Sequence, residues 1–469
     1  MSRFTLRPPL SFLLLVTVTL TAYAGAFRGD FQFDDASTIL AHPHLDRWDT
    51  FVGHLDHMIR PVLSLTFFLD RSLYGNSATG YHLLNLLLHL GCGMLVYRIL
   101  TRAVTEERRH VPLLVAALFL IHPLATETVT YISGRASGLM AFWYLLALLF
   151  YIRSAECPRK NLVGRLYYAG AIVSLLVSLA SKETAVTFPV ALLLWDLLVR
   201  RLKGDALRTA VRSDHLPFWL VLLIVGVMMG NHPRYTYLAQ YSLDIRPLWD
   251  NALSQLHAVT YALLLFFFPW KQNLDHDLPV FHSLAQWPLP LNLVILGGLA
   301  VATIITIRRL PLIAFGLGWF VLQLLPTNSV IPRLDLLSER NLYLASIGLL
   351  LAAVILGTYT TQWLNRRLRR DQPLHMAVGT IVLVLVALLC LATNTRNAVY
   401  HDAVLLWSDA IHKSPHKARP HNNLGHAYAE RGEWRLAIQE FRIALTLQPD
   451  YPLAQQNLRN AYLRHAGRD

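Results

Sequence analysis

What most constrains the fold of this chain is a succession of apolar runs, each close to the length that crosses a bilayer. They begin at about residues 9, 80, 111, 137, 164, 184, 216, 291, 311, 342 and 374, and about 20 apolar residues suffice for a helical crossing. Of the 469 residues, 54% are hydrophobic and only 15% are charged, against about a quarter in soluble domains. A bilayer offers the backbone no hydrogen-bond partner, so such runs must be helical. The expected fold class is all-α: a polytopic membrane helix bundle of about eleven spans.

The charges orient the bundle. Arg102, Arg108 and Arg109 follow the second run, and Arg153, Arg159, Lys160 and Arg165 the fourth. Arg200, Arg201, Lys203, Arg208 and Arg212 follow the sixth, Arg308 and Arg309 the eighth, and 365-NRRLRR-370 the tenth. All lie at even-numbered junctions, so all share one side, the cytoplasmic one by the positive-inside rule. The net charge of +13 is accounted for by these loops, which argues against a nucleic-acid partner. Arg3 and Arg7 before a run ending 22-AYA-24 mimic a signal peptide; an uncleaved first span is the reading adopted. Cys92, Cys157 and Cys390 are scattered, so neither a disulfide framework nor a zinc site is expected. One stretch, 251–268, is apolar enough to span but would put the later basic clusters outside. It is read as re-entrant or lying along the outer interface, with polar Gln255 and His257 and a Pro269-Trp270 stop.

The chain divides into a membrane domain, 1–394, and an outward tail, 395–469. In 418–451 the residues Leu424, Gly425 and Tyr428, then Ala437, Phe441 and Ala444, then Pro449 follow the 34-residue tetratricopeptide period. Half-units flank this repeat, with Trp407 and Ala410 upstream and Leu458 and Tyr462 downstream. So short an array is expected to lean on the membrane domain or on a partner.

Polar residues collect at the outer ends of the runs. The first external loop carries 31-FQFDDASTIL-40, with Asp34 and Asp35 adjacent. Then come Arg60, the turn holding His122, Glu127 and Arg135, the pair Lys182-Glu183, and the pair Glu339-Arg340. Ionisable groups at a membrane face are costly, and a functional cavity is the default reading. His82, Asn85 and His89 share a helix face and are read as packing rather than metal ligands. Asp275, His276 and Asp277 are read as a solvated loop rather than a metal cluster.

Taken in order, FDD at 33–35, RPV at 60–62, YHLLNLLLH at 81–89, HPLATETVTYISGR at 122–135, SKE at 181–183, ERNLYLASIG at 339–348 and the repeat tail form a set that spans nearly the whole chain. The sequence resembles the transmembrane-and-tetratricopeptide protein O-mannosyltransferases and their bacterial relatives in the GT-C glycosyltransferase superfamily. It departs from them in a shorter tail and in Asn341, where relatives commonly carry an aromatic. The resemblance implies inverting transfer of mannose or another hexose from a polyprenyl-phosphate carrier to a hydroxyl of a protein or glycan. The family's paired acidic motif maps onto Asp34 and Asp35, with Glu127 a further catalytic candidate. Arg340, Lys182, Glu183, Arg60, His122, Arg135 and Glu339 are the candidate substrate-binding residues, Arg340 and Lys182 foremost for the lipid phosphate. No cofactor is certain; the sequence leaves open whether the adjacent acids act as base or hold a divalent cation, Mg or Mn. The expected setting is a multi-pass membrane protein, in the inner membrane if bacterial, with its tail extracytoplasmic and able to meet an acceptor. Other readings are a relative that modifies glycans or lipids, a membrane-anchored tetratricopeptide scaffold for envelope assembly, and a transporter. A transporter would carry its charges mid-span, where the runs hold almost none.

Overall fold

The protein is described by a computed structural model covering residues 8–158, 161–368 and 372–466. The basic positions Arg3, Arg7, Arg159, Lys160, Arg369 and Arg370 lie outside the described residues. Among the described residues all regular structure is helical. The membrane part comprises α1 (Pro8–Tyr23), α2 (Pro61–Tyr74), α3 (Ala78–Leu100), α4 (Val111–Ile121), α5 (Arg135–Glu156), α6 (Leu162–Ser181), α7 (Phe188–Leu194) and α8 (Leu216–Gly230). It continues with α9 (Leu248–Phe267), α10 (Leu289–Arg309), α11 (Pro311–Leu324), α12 (Leu342–Leu368) and α13 (Gln372–Val399). The tail adds α14 (Ala403–Lys413), α15 (Ala418–Glu430), α16 (Trp434–Leu447) and α17 (Pro452–Ala466).

Every expected apolar run is helical, but they are not equal. Eight helices are long and apolar enough to cross a bilayer on their own, and a further pair, 106–121 and 123–129, is bent by 56°. The runs starting near 111, 184 and 311 give the short helices α4, α7 and α11. Their position explains this: α4 is buried along nearly all its length, at the centre of the bundle. An interior helix meets neighbouring helices rather than lipid tails. α10 and α13, by contrast, are almost wholly exposed along their apolar windows, as lipid-facing helices are.

Two helices cross unusually closely. A Cβ on Gly348 of α12 would stand 2.2 Å from the carbonyl oxygen of Gly316 in α11, and one on Gly316 would stand 2.3 Å from that of Gly348. Small residues at such crossings let helix backbones touch, the usual device where no water drives association.

The bundle has two chemically distinct ends. At one, the basic loops meet: Arg102 Nε is 3.1 Å from Glu156, Arg108 donates to the Tyr359 hydroxyl, and Asp196 accepts from Tyr151 and Arg200 beside His215. The other end gathers the segments 31–60, 122–135, 181–184, 270–276 and 328–341. All along its length α9 touches this second end. Asn251 donates to the carbonyls of Ser329 (2.8 Å) and Val330 (2.9 Å), Gln255 to that of Leu336, and His257 pairs with Asn292 at the start of α10. The Phe266 carbonyl, at its far end, is 3.1 Å from His122 Nε2. A helix with both ends and its middle at one end of the bundle lies across that face.

α13 runs through the boundary expected at 394 to Val399, and the hairpins begin at Ala403. α15 and α16 pack through Gly425, where a Cβ would stand 2.7 Å from the Phe441 ring; Ala437, Phe441 and Ala444 are buried there. The tail is also stitched to the first helix. Asn397 Nδ2 donates to the Ala22 carbonyl at 2.9 Å, and His401 Nε2 lies 2.8 Å from that of Gly25.

Candidate functional site

The acidic motif sits on a tight turn. Phe33 has φ 46°, a left-handed conformation that costs a non-glycine residue about 1 kcal/mol or more. The turn aims the two aspartates in different directions. Asp35 is fully buried. Its Oδ2 accepts from the Gln32 amide at 2.9 Å, and its Oδ1 accepts from the Ser133 amide at 2.8 Å and from the Ser133 hydroxyl. Burial pushes its carboxyl up to about 7 against the pull of these donors. Asp34 is half-buried. Its amide donates to the Tyr131 hydroxyl at 3.1 Å and its carbonyl accepts from Ser37 and Thr38. Its carboxylate shows no hydrogen bond or ion pair among the described residues, and its charge acts on Arg340 and Tyr131.

The bend after α4 brings up Glu127, buried at 1% exposure. It accepts from the Arg340 amide (2.9 Å) and the Ser338 hydroxyl (3.0 Å), and its Oε1 is 3.6 Å from Arg340 Nε. Burial pushes this carboxyl up, with the Arg340 charge opposing. Gly134 closes the same turn: a Cβ there would stand 2.1 Å from the Glu127 carbonyl oxygen, so no larger residue fits.

Cations complete the site. Lys182, at the end of α6, donates to Ser137 (2.8 Å) and to Asn341 Oδ1 (3.0 Å). Burial, with the nearby charges of Arg340 and Arg60, holds its ammonium well below the usual lysine range. Glu183 takes a forked contact from Arg60 at 2.9 to 3.2 Å, and Arg333 lies 3.5 Å from it. Burial would raise the Glu183 carboxyl, but Arg60 and Lys182 hold it down at about 2. A pocket of about 300 Å³, counting space open to solvent, is lined by Ser137, Lys182, Thr184, Arg340 and Asn341, with Met140, Tyr343 and Leu344 one turn further into their helices.

The structure thus brings together Asp34, Glu127, Arg340, Lys182, Glu183 and Arg60. Of the other four candidates, Asp35 spends both oxygens on Gln32 and Ser133, and three are engaged further away. His122 stacks on Phe266 at 5.0 Å and 9° and accepts from the Leu124 amide, fastening α9 to the bend. Arg135 is fully buried against Asp70 at 2.6 Å and also donates to Asn85 and the Tyr81 carbonyl. Glu339 faces away from the pocket and accepts from Gln272 (2.8 Å) and the Asn273 amide, with His276 at 3.0 Å. All three hold the walls of the site rather than its interior.

Other sequence readings change here. The loop 275–277 is solvated only at Asp277: His276 is buried, and Asp275 is buried between Lys417 and Arg419 of the tail, because a segment flanked by Pro and Asn has been covered by a hairpin that hydropathy does not place. His82 and His89 face backbone carbonyls at Gly29 and Leu120. Among the described residues no group of three or more His, Cys, Asp or Glu side chains is arranged to hold a metal ion. Of the aspartate pair, Asp35 accepts from Gln32 and Ser133 through both oxygens, and Asp34 offers the carboxylate without such partners among the described residues. Arg333, Ser133, Tyr131 and Asp335 escaped sequence reading. Of these only Arg333, a lone cation in the apolar stretch 329–337, carried any signal.

No family model matches the chain. It is 23% identical to protein O-mannosyl-transferase F38B6.6 of Caenorhabditis elegans over 94% of its own length and 63% of that protein. It is 27% identical to protein O-mannosyl-transferase Tmtc3 of Drosophila melanogaster over 94% and 55%, and 25% identical to TMTC4 of Mus musculus over 91% and 65%. The resemblance drawn from the ordered motifs therefore extends over nearly all of this chain, which spans 55 to 65% of the length of these relatives. Among solved structures it is similar to ArnT from Cupriavidus metallidurans bound to undecaprenyl phosphate, with a TM-score of 0.40 and 15% identity over 97% of this chain and 76% of that one.

Proposed function

We propose that this chain is an integral-membrane glycosyltransferase. It moves mannose or another hexose from a polyprenyl-phosphate carrier to a hydroxyl of a protein or glycan acceptor on the outer membrane face. One observation carries the reading: the carboxylate of Asp34, unpaired among the described residues, stands at the same end of the bundle as the pocket of Lys182 and Arg340. The names of the relatives support mannose and a protein acceptor.

The chemistry follows from the placement. Asp34 takes the proton of the acceptor hydroxyl as that oxygen bonds the anomeric carbon, help worth about 10²–10⁴-fold. The bond from the anomeric carbon to the carrier oxygen breaks on the opposite face, inverting the centre. The lipid phosphate leaves with the bonding pair, and Arg340 and Lys182 receive its charge. Arg suits the phosphate because its planar fork bonds two oxygens. Burial and the like charges of Arg340 and Arg60 outweigh Glu183 in disfavouring the Lys182 ammonium, and a phosphate bound there adds negative charge that favours it. Asp35 shapes the turn, and Glu127 holds the Arg340 backbone. Incubation of the purified protein with radiolabelled polyprenyl-phosphate mannose and membrane extract tests this. Label is expected to pass to an acceptor with wild type and not with Asp34→Asn; equal transfer by both removes the proposal.

A further inference from the structure

We propose that the tail is a positioning device for Arg340, worked by Arg419 and Lys417, and that these residues are thereby unavailable to an acceptor. The inference rests on the proposed function only for what Arg340 does.

Two loops of the membrane part each offer one acid to the tail: Asp275, after α9, and Asp335, before α12. Arg419 spans both, with Nε 2.6 Å from Asp275 Oδ2 and Nη2 2.6 Å from Asp335 Oδ1. Lys417 also bonds Asp275 and lies 3.4 Å from Asp335. Ser414 adds a hydrogen bond to the Asp275 carbonyl at 2.8 Å, and Lys413 one to that of Gln272 at 2.7 Å. What the loops do next gives the seam its meaning. Gln272, Asn273 and His276 hold Glu339, and the chain from Asp335 runs directly into Ser338 and Arg340, which hold Glu127. The tail therefore fixes the corner 338–340 from two directions. A separate contact reaches the other half of the site: Trp407 meets Phe33 edge-on at 5.2 Å, beside Asp34.

The charges exclude the simpler role for this face. If the tail presented it to an acceptor, its cations would be solvated; Arg419 instead has a side chain 20% exposed and Asp275 one 1% exposed. Removing the guanidinium leaves a buried carboxylate short of partners, and such groups force the local structure to move.

Hydrogen exchange of the full-length protein in nanodiscs tests the seam without needing a ligand. In Arg419→Gln the amides of 334–342 should exchange about tenfold faster, as a locally opened unit does, while those of 183–187 stay unchanged. Arg419→Lys should keep most of the protection, and Arg442→Gln, at the tail's far side, should match wild type. Asp335→Asn, which cuts one arm only, serves if Arg419→Gln fails to fold. Unchanged exchange in both overturns the proposal. Undecaprenyl phosphate is then used as a binding probe. Arg419→Gln should weaken it about tenfold, and Arg340→Ala with Arg419→Gln should be no weaker than Arg340→Ala alone, since two residues acting through one group are not additive. Additive losses also overturn positioning. If Arg340→Ala binds as wild type, the phosphate reading fails, while the exchange result still decides the role of the tail.

Discussion

Adjacent aspartates in one motif look interchangeable, yet their surroundings give them opposite work. Asp34 keeps its carboxylate open, whereas Asp35 spends both oxygens on Gln32 and Ser133. Asp34→Asn should therefore cut transfer by about 10²–10⁴-fold without lowering the melting temperature. Asp35→Asn should destabilise the fold by about 1–3 kcal/mol, since an amide group then faces backbone donors; thermal unfolding in detergent separates the two. Glu183 gives a pH signature. Its carboxyl is held at about 2 in the fold, below its usual 4.5, so its stabilising contribution is present above about 4.5 and fades as pH falls toward 2. By linkage this is at most about 3 kcal/mol, and Glu183→Gln should lose that part of the acid dependence. Sequence reading found these residues because charge beside an apolar run is expensive. It could not tell a pocket residue from a wall residue: Arg135 and Glu339 carry the same signal as Arg340, and only burial partners distinguish them.

Among the elements, the apolar runs were legible because hydropathy reports membrane solvent directly. The lengths of α4, α7 and α11 were not, because an interior helix is apolar whether or not it spans. The stretch 251–268 was legible for an indirect reason: the positions of Arg308, Arg309 and the 365–370 cluster argued against an extra crossing, and α9 meets outer-end loops through both Asn251 and Phe266. Least legible was the α11 and α12 crossing, since a glycine in an apolar run has many explanations. It yields a sharp comparison. Gly348→Ala drives a Cβ into the Gly316 carbonyl and should cost about 1–3 kcal/mol, the usual penalty of overpacking. Gly357→Ala, in the same helix with open space around it, should leave the melting temperature unchanged or raise it.

For the whole molecule, the proposal places every group of the site, the tail included, on the side of the membrane opposite the basic loops. Cysteine labelling decides this. In a cysteine-free background, an impermeant maleimide applied to intact cells should label His57→Cys and Glu433→Cys, both exposed at the site end, and spare Glu106→Cys at the basic end. Labelling of Glu106→Cys with protection of the other two would reverse the orientation. The repeat period revealed that a helical tail existed. It did not reveal which face was covered, because Asp275 and Asp335 lie about 140 and 80 residues upstream of Arg419 and nothing local links them.

The stitching of the last membrane helix and the tail onto the start of the chain carries a consequence for biosynthesis. Asn397, His401 and Trp407 hold Ala22, Gly25 and Phe33, so the turn that aims Asp34 acquires these supports only after the chain has been made as far as residue 407. On the proposed function, a chain cut short before that point would meet the lipid carrier with its acidic turn unbraced, so truncation ahead of the tail should abolish transfer even where the pocket of Lys182 and Arg340 is complete.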